Sequence, residues 1–378
     1  MKIGIITIQR PMDNYGAALQ CYSLYKYIHD LGHTVEIIDL LRPCHHGYKG
    51  PNEKKINIVY FKQLLYDAIV RKYYYGKRDR EFRHFHQMVE YSKKYRGPLS
   101  IKKDPPQYDL YVSGSDQIWN PYMPFDNAPY FFDFEIKSGA SVISYATSFG
   151  VDNIPDTERD VYKQRLLKYS HISVREERGA DIVEDILGTT PSVVADPVFL
   201  QTRQFWVNLG EKVNSLPKGY ILLYSVLYEK DVLDYAMRFA EKMNKTLVVV
   251  LSDAKVIRDN RIIQIRDAGP RQWLYLINNA DVFITNSFHG AAFGTLLGKD
   301  LKIIYDRRKK TNSRLDTLVN RLNLKECLCL LDSTDININT LNPMSIDVIQ
   351  NCIQLEHEKA IDYLNKAIKP ENISIYEQ

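Results

Sequence analysis

Three short segments of the sequence place acidic, amide, histidine and glycine residues directly after predicted strands. They lie at residues 13–16, 113–121 and 285–290. In open α/β sheets, ligands bind outside the carboxyl ends of the strands. These three segments are therefore the candidates for a binding or catalytic site.

The segment at 13–16, Asp-Asn-Tyr-Gly, lies at the start of a predicted helix. A helix N-terminus offers unpaired backbone N–H groups and the positive end of the helix dipole. Gly16 would let a ligand approach the backbone closely. Asn14 is equally typical of a helix cap that binds no ligand. The segment therefore predicts an anion site or a plain cap, and both interpretations stay open.

The segment at 113–121 begins with a turn of small residues, including Ser115, and continues with a carboxylate, an amide and an indole. Trp119 could stack on a pyranose ring while Asp116 and Gln117 hydrogen-bond its hydroxyls. Asp116 could also take a proton from an attacking hydroxyl. The alternative is a turn that a buried tryptophan anchors.

The segment at 285–290 ends a predicted strand and begins a helix that is rich in glycine and alanine. Backbone N–H groups of Gly290 and Ala291 would bind an anion there, and His289 could donate a proton beside it. A lone histidine can equally be structural.

Arg175 directly follows a strand predicted at 172–174. A guanidinium at a strand end can hold an anionic ligand. An ion pair with Glu176 or Glu177 is the alternative interpretation.

The elements that must position these residues alternate between short β-branched runs and helical periodicity, which is typical of α/β folds with parallel sheets. A strand at 3–8, a helix from Asp13 or Asn14 and a strand at 35–38 form a predicted βαβ unit. Further strands are predicted at 110–112, 142–145, 172–174, 193–195, 220–225, 247–251, 262–265, 282–285 and 301–305.

The length of 378 residues favours two domains. We predict a boundary near Asp196-Pro197, where a proline ends a strand. Residues 1–196 would form one Rossmann-like domain with a basic helical insertion at about 55–100, and residues 197–345 would form a second. Residues 346–378 have helical periodicity and would cross back to the first domain.

The segment at 67–96 is rich in basic residues that alternate with tyrosine and phenylalanine. Phe82, Phe85 and Val89 have helical spacing, which predicts one packed face and one exposed basic face. The segment is either a solvated helical insertion or a surface that contacts anionic lipid headgroups from the inner side of the membrane.

Composition excludes several classes of function. A net charge of +4 gives no field that favours nucleic acid. The five cysteines have no metal-site spacing, and the acidic residues form no obvious ligand set, so we expect no metal. No apolar run reaches the roughly 18 to 20 residues that cross a bilayer. Since the N-terminus also lacks a signal-peptide pattern, we expect a cytoplasmic protein.

Taken together and in order, the segments resemble the polysaccharide pyruvyl transferase family. The matching stretches are NYGAALQ (14–20), YDLYVSGSDQIWNP (108–121), ISYATSFG (143–150), ISVREERG (172–179), ADPVFL (195–200), AGP (268–270) and ADVFITNSFHGAAFG (280–294). The resemblance implies an α/β fold like that of the GT-B glycosyltransferases, with two Rossmann-like halves facing a cleft. It implies phosphoenolpyruvate as donor on the second half, a hexose of a surface-glycan precursor as acceptor on the first, and no further cofactor.

The resemblance also assigns roles to residues. His289 matches the family's catalytic acid, and Arg175 matches a required arginine that would hold the donor. From its own chemistry we predict Asp116 as a third catalytic residue, which would address the sugar. The predicted substrate-binding residues are Asn14, Gly16, Ser115, Gln117, Trp119, Ser287, Phe288, Gly290 and Arg314.

The sequence departs from the family at one position. Some relatives carry an arginine two residues before the histidine, where this chain has Ser287. Another cation must then meet the anionic donor. Arg314 is the first candidate, and Lys299 and Arg307 are weaker ones.

Two other functions fit parts of this pattern. A GT-B nucleotide-sugar glycosyltransferase would share the fold, but the glutamate pair that retaining members carry is missing from residues 280–310. A catalytically silent glycan-binding subunit would not need both His289 and Arg175.

Overall fold

The computed structural model describes residues 1–9, 14–42, 72–253, 255–308, 312–332, 336, 338–339 and 343–369. Asp13 and residues 55–71 of the predicted insertion lie outside the described residues, as does the chain from residue 370 onward.

The first half of the chain builds a four-stranded parallel sheet in the order β2-β1-β3-β4. Its strands are β1 (Lys2–Ile6), β2 (Thr34–Ile37), β3 (Leu110–Ser113) and β4 (Ser141–Ser144). A parallel pair, β5 (Ser173–Val174) and β6 (Ser192–Val193), adjoins this sheet through isolated bridges. The strands are mostly buried, as expected of parallel strands that helices cover on both faces.

The second half builds a six-stranded parallel sheet in the order β12-β11-β10-β7-β8-β9. Its strands are β7 (Tyr220–Ser225), β8 (Thr246–Leu251), β9 (Ile262–Gln264), β10 (Val282–Thr285), β11 (Asp300–Tyr305) and β12 (Leu328–Leu330). This order has a reversal between β7 and β10, which is the doubly wound pattern of a Rossmann-like sheet.

Helix α1 (Tyr15–Asp30) connects β1 to β2 and lies between the two halves. Asn14 caps it, because its side chain accepts a hydrogen bond from the Ala17 N–H at 3.2 Å. The helix stops at Gly32, whose φ of +87° is a left-handed conformation that glycine adopts without strain. The hydroxyl of Tyr15 donates to the carbonyl of Ala268 at 3.0 Å, so the start of α1 is bound to the second half.

The remaining helices cover the two sheets. They are α2 (Lys72–His86), α3 (Pro98–Lys103), α4 (Arg159–Leu166), α5 (Glu177–Leu187), α6 (Arg203–Leu209), α7 (Lys230–Lys242), α8 (Pro270–Asn279), α9 (Phe288–Leu296), α10 (Ser313–Arg321) and α11 (Pro343–Ile368). Helix α11 reaches the first sheet, where the Tyr363 hydroxyl donates to the Ser144 carbonyl at 2.7 Å. None of the helices within the described ranges is long and apolar enough to span a membrane.

The predicted fold class is confirmed. The chain is α/β, with two parallel Rossmann-like sheets that face a cleft. The first sheet is built from residues 2–144 and the second from residues 220–330, so the boundary expected near Asp196-Pro197 falls between them. The division into separate domains stays a prediction.

Helix α2 lies in the basic segment and buries one of its faces. Phe82 and Phe85 are buried, as their spacing predicts. Arg78 is buried with them, and its guanidinium donates to the carbonyls of Leu251 at 2.8 Å and Ser252 at 3.2 Å. The expectation that the basic residues share one exposed face is wrong for Arg78, because the i, i+4 spacing to Phe82 places it on the packed face.

Candidate active site

The points where the two strand orders reverse face the same cleft. In the first sheet this point lies between β1 and β3, and in the second between β7 and β10. Open α/β sheets bind ligands at such points. Residues that follow these four strands line a cavity of about 460 Å³. Seven predicted site residues line it: Asn14, Asp116, Gln117, Ser287, Phe288, His289 and Arg314.

His289 lies in the first turn of α9 and is held from two sides by the first half of the chain. Gly16 packs against its ring so closely that an added Cβ would lie 2.2 Å from Cγ and 2.3 Å from Nδ1. On the other side, Nε2 lies 3.4 Å from Oδ2 of Asp196. The absence of a side chain at Gly16 therefore allows α1 to approach the imidazole closely in this structure.

Two N–H groups in the first turn of α9, those of Gly290 and Ala291, are already hydrogen-bonded. Ser287 caps this helix: its hydroxyl accepts from the Gly290 N–H at 3.4 Å, and its carbonyl accepts from the Ala291 N–H at 2.9 Å. The expectation that Gly290 and Ala291 bind an anion through these groups is wrong, because the cap already uses both. Gly290 instead packs on Thr285.

Arg175 is buried behind the cavity and binds two carboxylates. Its Nη1 donates to Asp196 at 2.6 Å and to the Ser115 hydroxyl at 3.3 Å, and its Nη2 lies 3.5 Å from Asp116. Its guanidinium also lies over the Phe288 ring, 4.5 Å from the centroid. Neither of its predicted ion-pair partners, Glu176 and Glu177, fills that role; Glu176 instead accepts from the Ser148 hydroxyl and the N–H groups of residues 149 and 150.

Asp116 has a strained backbone and an ionised side chain. Its φ of +73° is a left-handed conformation that costs a non-glycine residue about 1–3 kcal/mol, and such strain concentrates at functional sites. Burial acts to raise the pKa of this carboxyl, but the charges of Arg175, His289 and Arg314 outweigh burial and hold the pKa below its usual value. A carboxylate with a lowered pKa is a weak base, which suits orienting a hydroxyl better than deprotonating it.

Of the three candidate cations, Arg314 is the one that the structure brings to the cavity wall. It lies 3.9 Å from Asp116, and with the Gln117 amide turned so that its oxygen faces the guanidinium, that oxygen accepts from Nη2 at 2.7 Å. Burial, and next the charge of Arg175, lowers the pKa of Arg314 to about 10. A bound anion would relieve this destabilised cation. Lys299 donates to the carbonyl of Asn278 instead, and exposed Arg307 does not line the cavity.

Trp119 does not form a sugar platform. The indole is fully buried in the core of the first half and stacks on Phe131, with ring centroids 5.2 Å apart and planes at 10°. No sugar in the cavity could reach it, so the alternative prediction of an anchored turn is correct. The left-handed backbone at Asp116 turns the chain here, and Asp116 and Gln117 face the cleft while Trp119 enters the core.

Two further residues at the site carried no role in the sequence interpretation. Asp196 contacts Arg175, Ser115 and His289. The sequence pattern that indicated the other site residues also applies to Asp196, because it is a polar residue directly after a predicted strand. Arg42 lines the cavity and stacks over Phe125 at 5.3 Å. No group of three or more His, Cys, Asp or Glu side chains in the described part of the chain could hold a metal ion.

Comparisons with known proteins bear on these residues. The family model for polysaccharide pyruvyl transferase matches residues 14–300. Comparison with curated protein sequences gave no significant match. Among solved structures, the chain is similar to the UDP-GlcNAc 2-epimerase from Methanocaldococcus jannaschii, with a TM-score of 0.45, 13% identity, and coverage of 98% of this chain and 94% of that one.

Two more solved structures show the same level of similarity. The UDP-GlcNAc 2-epimerase from Neisseria meningitidis, bound to UDP-GlcNAc, has a TM-score of 0.49 at 10% identity and covers 97% of this chain and 100% of its own. The glycosyltransferase SnogD from Streptomyces nogalater has a TM-score of 0.40 at 12% identity and covers 97% of each chain.

The family match extends over more than half of the 378 residues. It includes His289, the residues Gly16 and Asp196 that contact its imidazole, and the neighbouring ion pair of Asp116 and Arg175. From this match, the chain belongs to the polysaccharide pyruvyl transferase family.

Proposed function

We propose that this transferase moves the enolpyruvyl group of phosphoenolpyruvate onto a hexose of a surface-glycan precursor and forms a pyruvate ketal. The observation that carries the proposal is that His289 and Arg314 line the same cavity. A proton donor and a cation whose charge is incompletely neutralised are what an anionic enol ether requires.

The reaction divides into three steps. The C2–C3 double bond of the donor takes a proton from His289, which makes C3 a methyl group and leaves a cationic, oxocarbenium-like centre at C2. One sugar hydroxyl adds to C2. The bond from C2 to the phosphate oxygen then breaks, phosphate leaves, and a second hydroxyl closes the ketal. The two hydroxyls lose two protons; one restores His289 and the other leaves with phosphate.

We assign roles to the residues from their positions. Arg314 binds the donor directly, while Arg175 acts from behind the cavity by holding the carboxylates of Asp116 and Asp196. Asp116 and Gln117 orient the sugar hydroxyls from the first half of the chain. The sequence predicts that Arg175 contacts the donor directly. Because the Arg175 side chain is buried, we favour the indirect role through the two carboxylates.

The experiment is phosphate release from phosphoenolpyruvate with acceptors that contain galactose, mannose or N-acetylmannosamine. We expect release that depends on one class of acceptor, together with binding of phosphoenolpyruvate to the free enzyme. Binding of a nucleoside diphosphate without binding of phosphoenolpyruvate would reject the proposal in favour of a nucleotide-sugar glycosyltransferase.

We further propose that the acceptor is lipid-linked and that the segment at 67–96 contacts anionic headgroups of the inner membrane face. Arg80, Arg83 and Arg96 are exposed, whereas Lys77 pairs with Asp267 of the second half at 2.7 Å. Each exposed basic residue near an anionic surface contributes about 1 kcal/mol.

The membrane contact predicts that changing Arg80, Arg83 and Arg96 to glutamine weakens binding to liposomes that contain anionic lipid. A control variant neutralised at exposed Lys212, Lys218 and Lys325 should bind like the wild type. Equal partitioning of both variants in a sedimentation assay would contradict the proposal.

A further inference from the structure

Asp196 is a buried carboxylate that touches both Arg175 and His289. Its Oδ2 accepts from Arg175 Nη1 at 2.6 Å and from the Ser115 hydroxyl at 3.3 Å, and it lies 3.4 Å from His289 Nε2. Its Oδ1 accepts from the backbone N–H of Val198 at 3.1 Å. Three donors therefore fix the carboxylate in the position where it meets the imidazole.

The two nitrogens of His289 have different surroundings. Nε2 is buried and has no hydrogen-bond partner of good geometry, so its contact with Asp196 is an ion-pair contact at 3.4 Å. Nδ1, which Cε1 separates from Nε2, lies on the part of the ring that Gly16 packs against. His289 lines the cavity, and Nε2 is the nitrogen that is fully buried against Asp196, so we assign delivery of the proton to Nδ1.

We propose that Asp196 is a positioning residue that holds the Nε2–H of His289, so that Nδ1 delivers the proton to the donor. In this step the Nδ1–H bond breaks, a C–H bond forms at C3 of phosphoenolpyruvate from the π pair, and the neutral ring keeps its proton on Nε2. This inference rests on the proposed function, because it refines the role of His289 as the acid.

The charges around the ring support this arrangement. Asp116 after β3 interacts electrostatically with His289, and Arg175 after β5 and Arg314 on α10 lie within 3.9 Å of Asp116. Burial acts to raise the pKa of Asp196, but His289 and Arg175 outweigh it and hold that pKa well below its usual value. Asp196 therefore stays negative throughout the neutral range, where the acid must carry its proton.

The tautomer of His289 tests the proposal in the free enzyme. Protein labelled with ¹⁵N-histidine, with the His289 signals identified by their loss in His289→Ala, reports which nitrogen carries the proton when the ring is neutral. We expect the Nε2–H tautomer. A neutral ring protonated on Nδ1 would overturn the proposal. No phosphoenolpyruvate is present, so this outcome is independent of whether the proposed reaction is correct.

The variant Asp196→Asn keeps the shape of the side chain and removes its charge. We expect the alkaline limb of the pH–rate profile to move to lower pH, because the negative charge beside the protonated acid is gone. Glu356→Gln is the control, because it neutralises another buried, ion-paired carboxylate, bound to Arg321 at 2.7 Å. An unchanged pH–rate profile in Asp196→Asn would overturn the proposal, and the wild-type tautomer decides it if this variant does not fold.

Discussion

Replacing His289 with alanine is expected to lower kcat for phosphate release by about 10²- to 10⁴-fold, the usual contribution of a positioned general acid. The affinity for phosphoenolpyruvate should change little, because the cation that we assign to the donor is Arg314 and not His289. Stopped assays of phosphate release, combined with calorimetric titration of the donor, separate the two effects.

The control for this prediction is His289→Gln, which keeps much of the side-chain volume against Gly16 but cannot act as an acid. Both variants should lose turnover to a similar extent. If His289→Gln retained wild-type kcat, the imidazole would serve packing alone and the assignment of the acid would be wrong. Thermal unfolding of both variants checks that the two halves still fold around the site.

Replacing Arg314 with alanine is expected to reduce kcat/KM for phosphoenolpyruvate by about 10- to 100-fold, since hydrogen bonds to charged groups contribute about 1.5–3 kcal/mol. Burial and the neighbouring Arg175 already destabilise the cation of Arg314 in the free enzyme. An anionic donor would be attracted to this position, and most of the loss should appear in KM. Steady-state kinetics with varied phosphoenolpyruvate at saturating acceptor measure it.

Two variants sharpen this second prediction. Arg314→Lys keeps the charge but loses the planar fork, so we expect an intermediate loss. Arg307→Ala removes an exposed arginine that does not line the cavity, and it should behave like the wild type. Equal losses in Arg307→Ala and Arg314→Ala would show that the overall charge matters and that Arg314 is not a specific contact.

Much of the fold follows from short stretches of sequence. The strands predicted at 220–225, 247–251 and 282–285 match β7, β8 and β10, because parallel strands buried on both faces are continuous apolar runs. Asn14 and Gly32 bound α1 as expected, since caps and left-handed stops depend only on neighbouring residues.

The sequence also indicated which polar residues meet at the cleft. Asp116, Gln117 and His289 all follow strands near the points where the strand order reverses, and the structure places them in one cavity. Arg314, the predicted replacement for an arginine that some relatives have at the Ser287 position, reaches the same cavity. The pattern of residues at strand ends thus predicted the location of the site.

The tertiary structure alone decided what each side chain contacts. Trp119 enters the core whereas Gln117 faces the cleft, although only two positions separate them. Arg175 binds Asp196 and Asp116 rather than its neighbours Glu176 and Glu177. The sequence by itself determined most of the strands and the ends of α1, because periodicity and caps act over a few residues. The partner of a buried charge depends on packing between segments far apart in the chain, as between Asp196 and His289.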